Sequence, residues 1–144
     1  MIDGHVNRSL PVPLVPAWLR WVGVAIIMVV IFYLSVVTAP PDQVMPKPDY
    51  LPLDKWRHFL AYGVLGYSLA YALIGSEYPT RYRVLVVFIV PFMYGIGLEF
   101  WQSLIPVRYF SVGDAIANAF GAVLSLTWFV LEPRLRFIPI SLME

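Results

Sequence analysis

The chain has 144 residues, of which 60% are hydrophobic and only 13% charged, with a formal net charge of +1. It is too apolar for an ordinary soluble domain and long enough for one small bundle, and its thinly scattered cations exclude a phosphate-backbone nucleic-acid surface. There is no cysteine, which excludes a disulfide framework, a thiol nucleophile and a thiolate metal site.

Four apolar stretches follow one another, each near the length of about 20 residues that crosses a hydrocarbon core. They predict an all-α fold, an integral membrane bundle of four transmembrane helices in a single domain over 1–144, with spans at about 18–38, 56–75, 83–105 and 112–131. The first span is longer than the apolar core of a signal peptide, and Pro40-Pro41 directly follow the small residue at Ala39, so it reads as retained. Between spans one and two, Pro40, Pro41, Pro46, Pro48 and Pro52 hold the chain extended, as a stiff cover or spacer. Gly75-Ser76-Glu77-Tyr78-Pro79 ends the second helix, Pro106 stops the third, and Ser111 or Asp114 can cap the fourth.

Orientation follows from the cations. With a cytoplasmic N-terminus, Arg8, Arg20, Arg81, Arg83, Arg134 and Arg136 lie inside, against Lys47, Lys55, Arg57 and Arg108 outside. The positive-inside rule then places both termini in the cytoplasm and the protein in the plasma (inner) membrane. Asp54, Lys55, His58, Glu99, Gln102, Asp114 and Asn118 fall near helix ends that open on the other, extracytoplasmic side. Polar groups at such depth are costly, and their clustering marks a site.

Helical spacing sharpens it. Asp54, His58 and Tyr62 share one face of the second helix, where Gly63, Gly66 and Ala70 permit close approach by a neighbour. Pro91, Gly95, Glu99 and Gln102 fall on one side of the third, with Glu99 about 10 Å below its Pro106 end. Asp114, Asn118, Gly121 and Ser125 line the fourth, while Leu124, Leu126, Trp128 and Phe129 read as lipid-facing. Three polar stripes can meet in one pocket.

Asp54-Lys55-Trp56-Arg57-His58 resembles the Asp-Lys-x-x-His signature of VanZ-like membrane proteins. The run Glu99-x-x-Gln102-x5-Arg108-x2-Ser111-x2-Asp114-x3-Asn118-x2-Gly121 resembles their second signature. Val107 and Ser125 stand where that pattern often has glycine. The resemblance implies a small multi-span protein of the cell envelope, with a link to resistance against glycopeptide antibiotics such as teicoplanin, and no settled mechanism.

Each polar residue carries a structural reading beside a functional one. Asp54 is a natural helix cap as well as a ligand contact, and Arg57 can simply snorkel to the interface. Glu99 either pairs with Arg108, Lys55 or His58 or stays protonated and handles protons. Arg108 can clamp a phosphate or brace its loop against Asp114. Gln102 and Asn118 can bind a ligand or bridge helices. Trp18, Trp21, Tyr50, Trp56, Tyr109 and Phe110 read as interfacial anchors.

His58, Glu99 and Asp114 are the catalytic candidates, and Asp54, Lys55, Gln102, Arg108 and Asn118 the ligand-binding ones. One histidine with these carboxylates could ligate a divalent ion. Zinc, however, usually takes a second histidine or cysteine and magnesium takes substrate phosphates, so no metal or other cofactor is expected. No serine sits in a Gly-x-Ser-x-Gly elbow.

Three functions fit this pattern. The first is an enzyme on an envelope lipid or lipid-linked precursor, with Lys55 and Arg108 holding an anionic head group while His58 moves a proton. The second is a noncatalytic module that binds or shields a lipid or antibiotic with the same groups. The third is a proton or ion pathway, ranked last because polar residues thin out toward the cytoplasmic halves. Membrane lipids are the expected partners, and the apolar stripes permit self-association without specifying it.

Overall fold

The computed structural model describes residues 9–37, 53–105 and 109–140. The proline-rich segment after the first helix and Arg108 lie outside the described residues.

Helix α1 (Ala17–Phe32) continues into a single π-helical turn, Tyr33–Val37. Next come α2 (Leu53–Ala72), α3 (Thr80–Ser103), α4 (Val112–Ser125) and the short α5 (Trp128–Leu131). Three stretches, Ala17–Val37, Thr80–Ser103 and Val112–Arg134, are long and apolar enough to cross a membrane. The expected second span is a helix of sufficient length, but Lys55, Arg57 and His58 in its first turns leave α2 too polar to join that set. Exposed apolar side chains such as Val29, Leu60, Leu85, Met93 and Phe120 cover the outer surface, as they do where the surrounding solvent is lipid.

The helices run up and down. Arg20, near the start of α1, donates from Nη1 to the carbonyls of Tyr71, Ala72 and Ile74 at 2.8, 3.2 and 2.9 Å, closing the end of α2. Gly75, at φ 74°, adopts the left-handed geometry that turns the chain toward α3. Ser111 caps α4, its Oγ accepting from the Asp114 amide at 3.2 Å.

Helices α2 and α4 meet through small residues. A Cβ on Gly121 would lie 2.3 Å from the Phe59 carbonyl oxygen and 2.8 Å from the Gly63 nitrogen, so only glycine permits this backbone contact. One turn on, Ser125 fills the space over Gly66, and its hydroxyl returns to the Ala122 carbonyl at 2.6 Å. Serine therefore fits at this contact. Tyr62, Leu65, Leu69, Ala70, Val87, Leu98 and Ala122 form the buried interior between the two ends of the bundle.

Two departures from the all-α expectation lie at the end away from the polar residues. Leu10–Leu14 (β1) and Leu135–Pro139 (β2) pair as parallel strands, Leu10 opposite Leu135 and Leu14 opposite Pro139. The fourth helix also breaks at Leu126–Thr127, and Trp128 turns inward to stack on Phe137 at 6.1 Å rather than facing lipid. Below the ribbon, both Arg83–Glu132 contacts form, at 2.7 and 2.9 Å, tying α3 to the segment after α5.

Candidate functional site

The polar stripes converge where the first turns of α2 and α4 meet the last turns of α3. Lys55 is ion-paired with Asp114 and reaches Ser111 Oγ at 3.3 Å, so the cation on α2 closes over the cap of α4. Gly113 leaves room for that side chain, since a Cβ there would lie 2.9 Å from Lys55 Cε.

Glu99 is 2% exposed, its Oε2 accepting from the Ser111 amide at 3.2 Å and its Oε1 3.9 Å from His58 Nδ1. A buried carboxylate thus faces an amide at the N-terminus of α4, where the helix dipole favours negative charge. Asn118, with no exposed surface, accepts from His58 Nδ1 at 2.9 Å. Because a carbonyl oxygen only accepts, this bond holds the imidazole proton on Nδ1 and leaves the Nε2 lone pair available. The ring also stacks at 6.3 Å on Tyr62.

The floor of the basin depends on Gly95. A Cβ there would lie 2.6 Å from Asn118 Nδ2 and 2.9 Å from Tyr62 Cε1, so the glycine makes the space in which both side chains lie against α3. Asn118 Nδ2 is buried and has no hydrogen-bond partner among the described residues.

One ligand atom each from His58, Glu99 and Asp114 lies within 4.8 Å of the others, close enough to share a proton relay or a cation. Of the sequence-derived candidates, Lys55, His58, Glu99, Asp114 and Asn118 come together, and Ser111 joins them. Gln102 does not. It donates from Nε2 to the Ser35 carbonyl at 2.6 Å and ties α3 to the π-helical turn of α1. The Asp54 side chain and Arg108 lie outside the described residues. Asp114, one expected partner of Arg108, is paired with Lys55.

Ser111 was read from sequence only as a cap. Its position three residues before Asp114 was the one available signal for its second task, holding Glu99 through its amide.

No protein-family profile, curated protein or solved structure matches the chain.

Proposed function

We propose that the chain is a VanZ-like four-span membrane protein whose basin receives the anionic head group of an envelope lipid or lipid-linked precursor. The observation that carries this reading is the convergence of a lysine, a histidine, an amide and two carboxylates from three helices, on one side of an apolar interior. Lys55 and the amides that open α4 supply positive potential, and His58 Nε2 supplies a base whose other nitrogen is already held by Asn118.

Parity supports four crossings. The β1–β2 pairing brings both ends of the described chain to the same end of the bundle. A chain that leaves on the side where it entered crosses an even number of times, which favours counting α2 with the three apolar helices despite its polar first turn. The cation distribution supports a cytoplasmic ribbon and a basin on the outer face of the plasma membrane.

A module that binds or shields a lipid or an antibiotic without catalysis uses the same geometry. A through-pathway is disfavoured by Leu65, Leu69, Ala70, Val87 and Ala122, each at most 2% exposed, which separate the basin from the Arg83–Glu132 pair.

The test is binding of the purified protein to vesicles or nanodiscs with anionic or zwitterionic head groups, run beside teicoplanin susceptibility in a host expressing the chain. Anionic selectivity that falls in Lys55→Ala supports the reading, and equal binding to both lipid types refutes it. If His58→Ala and Glu99→Gln abolish the protective phenotype while binding survives, the site is catalytic. If binding and phenotype are lost together, it is the noncatalytic module.

A further inference from the structure

We propose that Glu99, Asp114 and His58 form a site for a divalent cation, which bridges an anionic head group to the basin. The bridging role rests on the head-group reading above, whereas the cation site stands on the geometry alone.

Three side chains from three helices offer two carboxylates and an imidazole whose ligand atoms lie within 4.8 Å of one another. Around an ion with bonds of about 2.1 Å, neighbouring donors stand about 3 Å apart and opposite ones about 4.2 Å apart, so side chains with donors this close need only small rotations to share one ion. The sequence alone could not supply that distance. It brought His58, Glu99 and Asp114 to one end of the bundle without fixing how close they come.

Charge points the same way. Among the described side chains of the basin, Lys55 stands against two carboxylates, of which Glu99 is 2% and Asp114 8% exposed. A divalent cation held by the two carboxylates would add to the positive potential that Lys55 and the α4 amides offer an anionic head group.

Asn118 gives a separate indication. Its oxygen holds His58 Nδ1 at 2.9 Å and so fixes the imidazole beside Glu99, whose Oε1 lies 3.9 Å from that nitrogen. Its buried NH2 group has no partner among the described residues, and an oxygen carried on the cation, from water or a phosphate, is the kind of acceptor it lacks.

Lys55 explains how the site is kept when no divalent ion is bound. Its ammonium sits on Asp114 as a resident monovalent cation, and with 36% of its side chain exposed it can turn outward onto a phosphate when a stronger cation arrives. Mixed carboxylate and imidazole donors suit an ion such as manganese(II), which accepts both.

The experiment is manganese(II) binding to the full chain in detergent, followed by electron paramagnetic resonance with detection of coupled imidazole nitrogen. One saturable site is expected, with nitrogen coupling that is retained in His5→Gln and lost in His58→Gln, these being the two histidines of the chain. Glu99→Gln and Asp114→Asn should each weaken binding by at least about tenfold. Lys55→Met should tighten it, because the competing ammonium is gone.

Absence of saturable binding by the wild-type protein, nitrogen coupling that survives in His58→Gln, or weaker binding in Lys55→Met each overturns the site. If a carboxylate variant fails to fold, the wild-type spectrum and Lys55→Met still decide. Head-group binding unchanged by a chelator removes the bridging cation and leaves the head-group reading intact. Manganese bound as described, with no head-group selectivity, keeps the cation site and removes that reading.

Discussion

Lys55 and Asp114, separated by 59 positions in sequence, form an ion pair that fastens the first turn of α2 to the first turn of α4. The two partners differ in burial, with the lysine side chain 36% exposed and the aspartate 11%. Removing the lysine leaves a largely buried carboxylate without this partner. Lys55→Met is expected to cost about 1–3 kcal/mol, less than a fully buried pair because water screens the lysine. Lys55→Met/Asp114→Asn should recover most of that loss. Thermal unfolding of the three proteins in one detergent checks it, and a double variant less stable than the single would refute the pairing account.

Gly121 sets the spacing of α2 and α4. Gly121→Val should destabilise the bundle by about 1–3 kcal/mol or more, since the new side chain meets backbone that cannot move aside. Gly97→Ala serves as the control: no neighbour lies within 4 Å of its added methyl group, so its unfolding midpoint should stay near that of the wild-type protein.

The His58–Asn118 bond predicts a tautomer. Nitrogen-15 spectra of histidine-labelled, metal-free protein should show His58 protonated on Nδ1, and Asn118→Leu should abolish that preference. Gly95→Ala should disturb the same signal from the other side, by displacing the Asn118 amide. Proton occupancy on Nε2 in the wild-type protein would contradict this assignment.

At the opposite end, Tyr71 holds the ribbon. Its hydroxyl donates to the Pro13 carbonyl at 2.8 Å and accepts from the Val15 amide at 3.1 Å. Tyr71→Phe should cost about 1–2 kcal/mol and raise hydrogen exchange across Leu135–Pro139, while leaving ligand binding at the basin unchanged.

The polar basin was legible because helical spacing is rigid. Asp114 and Asn118 must share a face, as must Gly95 and Glu99, and small residues at Gly63, Gly66 and Gly121 announced which helices come closest. Helix bridging was one of the two roles open to Gln102, but its partner was not legible, because it is a backbone carbonyl at Ser35, and every residue has one. The ribbon was hidden for a related reason. In Leu-Pro-Val-Pro-Leu the two prolines argue against a strand, and pairing across a whole chain leaves no local pattern. Trp128 read as lipid-facing from type alone, since its stacking partner belongs to that same ribbon.

The ribbon also imposes an order on biogenesis. Its first strand emerges from the ribosome long before Leu135, so Leu10–Leu14 waits unpaired through the insertion of every intervening helix. Pairing is thus a late event that waits for Leu135–Pro139 to be made. A chain truncated before its second strand would keep an open backbone edge, a signal that quality-control proteases can read.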